Sequence, residues 1–236
     1  MKILAIESSA LSASVCIEAE GKLIAESFQN NGLTHSRTVM PMIRSMLDAC
    51  GERLEDMDKV AVAAGPGSFT GLRIGASVAK GLSWAAGIPV CGVSTLEALA
   101  WQASWADGLV CPVMDARAGQ VYNALFRVCC GEITRVSEDR AVPLAQLINE
   151  LRSEKNIIVL GDGAQICYNG LTEEGIQARM LPDGQRFPRA SGVACAARRI
   201  PGGPPEELQV QYLRLPQAER ERLERLRKSG QVNHTG

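Results

Sequence analysis

"KILAIESSALSASVCIEAEGKLIAESF", residues 2–28, holds three short strand-like runs in succession: 2–7, 13–19 and 22–28. The Glu20-Gly21-Lys22 step between the second and third is a tight hairpin signal, since glycine readily takes the positive φ that such turns require. Residues 35–50 then carry apolar side chains at 39, 42, 43, 46, 47 and 50, the spacing of an amphipathic helix, with Thr34 as its expected cap and Pro41 expected to bend it or disturb its first turns. A strand hairpin followed by strand–helix alternation is the opening of an α/β lobe.

The next stretch continues the alternation. Residues 59–64, "KVAVAA", are too short and too apolar for a surface helix and suit a buried parallel strand. "GPGSFTGLRIG" (65–75) follows, then a helix to about Ala86, a strand in "IPVCGV" and a helix from Ser94. The second half repeats the scheme. Strands are expected in "GLVCPVMDA", "GQVYNALFRV", "ITRVS" and "NIIVLG", with helices near 143–153, 163–170 and 190–200. The expected division is a first lobe over 1–104, a second over 105–215 and a charged tail over 216–236. That tail carries five basic and three acidic side chains between 216 and 228, as a solvated helix would.

The 236 residues are 46% hydrophobic, enough for a sizeable core. The formal charge of −1, from 25 basic and 26 acidic side chains, supplies no global field toward nucleic acid or an anionic membrane. With four Phe and three Tyr besides, a direct tRNA-binding module is disfavoured. The first residues fit neither a secretory signal nor a membrane span, so a cytoplasmic protein is expected. The eight cysteines contain no CxxC pair and read as small hydrophobes in a reducing compartment. With His35 and His234 the two histidines, no metal site is expected.

Two places look able to carry chemistry. At Glu7, Ser8 and Ser9 an acidic residue ends a strand and hydroxyls follow in the turn. ATP-using folds with this opening place a magnesium-positioning carboxylate and phosphate-binding amides there, although serines that bond their own backbone explain the turn equally well. In the glycine loop, Gly65, Gly67 and Gly71 give backbone freedom, Ser68 and Thr70 can cap the next helix, and Arg73 is the one cation. The loop lacks the P-loop lysine and departs from GxGxxG, so it is competent for an anion without demanding one. Asp115 and Arg117 follow a strand end, where either a functional role or an ion pair shaping the turn is open. No nucleophile has an identifiable activating partner.

"LAIESSALSASVCI" (4–17), "AVAAGPGSFTGLRIGASVAKGLSWAAGIPVCGVSTLEALA" (61–100) and "PVMDARAGQVYNALF" (112–126) together resemble the TsaB (YeaZ) family of tRNA threonylcarbamoyladenosine biosynthesis proteins, and "QYLR" (211–214) resembles that family's closing segment. The resemblance implies the α/β fold of actin, sugar kinases and Hsp70, with two lobes and mixed sheets. It also implies kinship with TsaD (Kae1, YgjD), which holds a metal through an HxxxH-like motif. Here His35 is followed at the fourth position by Val39, and "ESSALSA" stands where TsaD-like chains have "ESSCDET".

The expected role is therefore that of a noncatalytic partner of TsaD and of the TsaE ATPase. It would reach tRNA through the complex, form a homodimer when alone, and bind no cofactor tightly, with ATP and magnesium used by its partners. The candidate docking residues are Val39, Met42, Ile43 and Met46 on the first helix and Leu72, Gly75, Ala76 and Ala79 on the second. The residual nucleotide site would comprise Glu7, Ser8, Ser9, Gly65, Gly67, Ser68, Thr70 and Arg73. The alternative is a nucleotide-binding enzyme, either a phosphotransferase or a glycoprotease-like peptidase.

Overall fold

A computed structural model describes residues 1–214, so the expected charged helix at 216–228 lies outside the described residues. The first lobe is built from β1 (Lys2–Glu7), β2 (Ala13–Ala19), β3 (Lys22–Gln29), α1 (His35–Cys50), β4 (Lys59–Gly65), α2 (Phe69–Ala86), β5 (Val90–Ser94) and α3 (Thr95–Gln102). Its sheet runs β3-β2-β1-β4-β5, antiparallel through the first three strands and parallel from β1 to β4 and β5. Glu20 and Gly21 both adopt positive φ (51° and 81°), as the tight hairpin requires. Thr34 sits at the cap position of α1, but its side chain caps no backbone N–H, and the helix continues through Pro41.

The second lobe comprises β6 (Gly108–Arg117), β7 (Gln120–Asn123), β8 (Phe126–Cys129), β9 (Glu132–Arg135), β10 (Arg140–Pro143), α4 (Leu144–Glu150), β11 (Ile157–Leu160), α5 (Ala164–Glu173), β12 (Ala178–Met180), α6 (Asp183–Arg186) and α7 (Ala190–Ala197). Its sheet order, β10-β7-β6-β11-β12, repeats the first: a central strand with antiparallel neighbours on one side and two parallel strands on the other. The expected strand over 119–128 is two strands. Asn123, wholly buried, donates through its amide to the carbonyls of Pro112 and Ala124, and the chain breaks there before β8 re-pairs with β6.

The division at 104/105 is crossed by packing. α3 sends Leu96, Leu99 and Ala100 into the core of the second sheet and Ala98 into the core of the first. α7, though late in the chain, packs on the first sheet, where Val193, Ala194 and Ala197 meet Ile3, Ala5 and Cys16. Two carboxylates of the first lobe hold it there. Glu26 accepts from the Ser191 backbone N–H at 2.9 Å, and Glu18 accepts from Arg198 Nε at 2.8 Å. Residues 190–213 thus return to the first lobe, whereas the expected boundary put them with the second. Most cysteines are buried or half-buried as expected of small hydrophobes, with Cys129 and Cys130 exposed at the β8–β9 turn as the exceptions.

Candidate functional site

Between the lobes lies a cleft of about 730 Å³. Its first wall is the turn after β1, the start of α1 and the first turn of α2. Its second wall is the end of β6 with Asp162, which follows β11. Residues 211–214 border both.

Glu7 ends β1 with no solvent exposure. Its Oε1 accepts from the Ser9 N–H at 2.6 Å, and its Oε2 has no partner among the described residues. Burial pushes its carboxyl up to about 7, and the nearby charge of Asp162 adds to the rise, against the lowering hydrogen bonds of Ser9. Asp162, on the opposite wall, accepts from the Asp115 N–H at 3.1 Å, while Asp115 in turn accepts from the Arg117 N–H at 2.7 Å. Burial pushes the Asp162 carboxyl up to about 6, with the charge of Asp115 adding to it. Asp115 therefore shapes the β6–β7 turn through backbone bonds rather than through an ion pair with Arg117. His35 reaches the same cleft, its Nε2 2.8 Å from the Ala10 carbonyl.

The glycine loop is spent on packing. A Cβ on Gly67 would lie 2.5 Å from the Ser9 carbonyl oxygen, one on Gly71 would overlap the Ser8 carbonyl, and one on Gly75 would overlap the Ser8 hydroxyl. Gly65 and Gly67 have φ of 125° and 158°, and a Cβ on Gly65 would overlap the Gln211 carbonyl. The donors are committed as well. The Ser68 N–H bonds to the Ser9 carbonyl at 2.7 Å, Ser68 Oγ caps α2 by accepting from the Gly71 N–H at 3.3 Å, and Ser8 Oγ donates to the Gly71 carbonyl at 3.0 Å. The guanidinium of Arg73 lies 3.8 Å over the Phe69 ring and donates through Nε to the Tyr212 hydroxyl at 3.0 Å. Thr70 stays exposed on the first turn of α2.

A magnesium-bound nucleotide, which the fold class implies for this cleft, would meet a loop whose Ser68 and Gly71 N–H groups and Arg73 guanidinium already have partners within the chain. Among the described residues no group of three His, Cys, Asp or Glu side chains is placed to hold a metal.

The expected docking residues are not at a surface. Val39, Met42, Ile43, Met46, Leu72, Ala76 and Ala79 are at most 6% exposed and Gly75 is buried. Val39, Met42, Ile43, Met46, Ala76 and Ala79 form the core that seats α1 and α2 on the first sheet, beside Leu4, Val15 and Val62. Helical periodicity marks the face that leaves water, and here that face is covered by the chain's own sheet. The outward faces are Arg37, Met40, Arg44 and Asp48 on α1 and Thr70, Arg73, Ser77 and Trp84 on α2.

The sequence carried a faint signal for Asp162: Gly161-Asp162-Gly163 after β11 occupies the place of Gly65-Pro66-Gly67 after β4. Tyr212 and Arg214 lay beyond the reach of local patterning, since their partners are about 100 residues or more distant.

Residues 24–182 match the family model described as TsaD, tRNA N6-adenosine threonylcarbamoyltransferase. The tRNA threonylcarbamoyladenosine biosynthesis protein TsaB of Bacillus subtilis is 34% identical over 95% of this chain and 99% of its own length. The TsaB protein of Escherichia coli is 33% identical over 78% of this chain and 80% of its own. A Pseudomonas aeruginosa crystal structure, described as similar to peptidase YeaZ, superposes with a TM-score of 0.78 at 26% identity, covering 90% of this chain and 99% of that one.

Proposed function

The chain belongs to the TsaB family of tRNA threonylcarbamoyladenosine biosynthesis proteins, and from that premise we propose that it is a noncatalytic scaffold and activator, pairing with a TsaD-type catalytic subunit and a TsaE-type ATPase. The observation that carries the reading is the committed glycine loop: Ser68, Gly71 and Arg73 already have partners within the chain. A protein that holds this loop closed with its own atoms has its cleft serve architecture rather than phosphoryl chemistry. On this reading the chain binds no cofactor tightly, ATP and magnesium are used by the partners, and tRNA is reached through the complex in the cytoplasm. No helix among the described residues is long and apolar enough to cross a membrane.

The corrected partner surface is the outward side of α1 and α2, where Met40 is 44% and Trp84 61% exposed. The same side would pair two copies when the catalytic subunit is absent.

One observation favours the enzyme reading: Asp162 lines the cleft and Glu7 is buried behind its wall, close enough that the charge of Asp162 helps raise Glu7, and both carboxyls are pushed toward neutrality as in acid–base pairs. Calorimetry with ATP and magnesium separates the two. Tight binding with turnover by the isolated chain overturns the scaffold, and silence supports it. The pathway itself is tested by depleting the protein and analysing tRNA nucleosides. Loss of threonylcarbamoyladenosine is expected, and its retention rejects the assignment.

A further inference from the structure

We propose that the segment Leu208–Arg214 is an intramolecular clasp that sets the angle between the two lobes by seating on the glycine loop and gripping the β6–β7 turn. Its first half belongs to the first lobe. Leu208 joins the core beneath α1 and α2 with Val210 packed against it, and the Gln211 N–H donates to the Ala64 carbonyl at 2.7 Å. Upstream, Val90 and Gly203 exchange two backbone hydrogen bonds of 2.9 Å, fixing the segment's approach along β5. Tyr212 then stacks on Phe69 with ring centroids 4.6 Å apart and accepts from Arg73, so aromatic ring and cation are locked to the first turn of α2.

Two residues later the chain holds the other lobe. Arg214 Nη1 donates to the carbonyl of Ala116 and, at 3.0 Å, to that of Arg117. Those two carbonyls serve one guanidinium at a turn where Arg117 and Ala118 take the left-handed region, with φ of 63° and 53°. Side-chain-bearing residues take that conformation at a cost, and such strain persists where surrounding contacts impose it. A segment that merely packed would touch one lobe. This one crosses the cleft mouth from Ala64 to Arg117 in four residues. α3 and Ala10 connect the lobes through apolar packing, and Arg189 bridges Glu26 of β3 and the Gly184 carbonyl of α6; the clasp adds an attachment at the cleft mouth, apart from these, where it resists opening of the two walls.

The test uses the full chain and two variants, Arg214→Met and Tyr212→Ala, followed by hydrogen–deuterium exchange with peptide resolution. Each variant releases one end of the clasp, and both positions are at the surface or nearly so. Arg214→Met is expected to speed exchange about tenfold in the cleft walls of both lobes, residues 7–12 and 113–118, while α4 and α5 keep the wild-type rate. Tyr212→Ala is expected to give the same pattern. Should Tyr212→Ala lose its fold by circular dichroism, Arg214→Met decides alone. Exchange unchanged outside 208–214, or raised in only one wall, overturns the clasp.

Discussion

Glu7 is the residue whose burial has the most direct thermodynamic consequence. An unfolded chain releases its proton near 4.5, whereas the folded chain holds it to about 7. Between those values the folded state binds more protons, so stability falls as pH rises through the window and levels off above it. The interval is worth about 3 kcal/mol. Asp162 acts with the same sign between 3.8 and about 6. Glu7→Gln keeps an acceptor for the Ser9 N–H and removes the charge, so urea melts should place the variant above wild type by about 2–3 kcal/mol at pH 8 and near parity at pH 4. Superimposable pH profiles would show that Glu7 does not titrate in place. Gly71 makes the complementary case for packing. Gly71→Ala would drive a methyl into the Ser8 carbonyl, and a loss of about 1–3 kcal/mol is expected in the same melts.

At the level of elements, α7 depends on a lysine more than on its own sequence. Lys59, 5% exposed on β4, donates through Nζ to the carbonyl of Ala197, the last residue of α7, at 2.6 Å and to that of Ile200, in the turn just beyond it, at 2.7 Å, and so ties the end of the helix to the sheet. Lys59→Met preserves most of the buried volume, removes the donor from the Ile200 carbonyl and leaves the Ala197 carbonyl with the Ile200 N–H at 3.1 Å. It should cost about 2 kcal/mol or more in thermal or urea unfolding, with faster amide exchange in α7 than in α5. An unaltered α7 would mean that the carbonyls find water instead. The same helix shows where sequence legibility stops. Strands β1 to β4 and helix α1 were readable almost to the residue, because alternation and 3.6-residue spacing are local. The destination of α7 and the clasp depend on partners far away in sequence, which no local period encodes, and the break at Asn123 turns on side-chain hydrogen bonds to the Pro112 and Ala124 carbonyls that alternation does not register. The glycine loop was half legible. Its glycines announced close approach, but whether to a ligand or to Ser8, Ser9 and Gln211 was decided by the fold.

For the whole molecule, the difference between a buried face and a docking face becomes an experiment. Met42 and Ala76 lie within the core that joins α1 and α2 to the first sheet, so Met42→Glu or Ala76→Glu buries an unpaired charge. Such variants should unfold or lose several degrees of melting temperature, and a lost complex would then report only a lost fold. Met40 and Ser77 stand on the outward side of the same two helices, where substitution costs the monomer little. If that side receives the catalytic subunit, Met40→Glu combined with Ser77→Arg should leave the melting temperature of the isolated chain within about 2 °C of wild type. The same pair should abolish co-purification with a TsaD-type partner and lower threonylcarbamoyladenosine in a complemented strain. Full complex formation by this folded double variant would move the partner to another face of the protein, and the exposed Leu11 and Leu33 at the cleft mouth would be the next positions to alter.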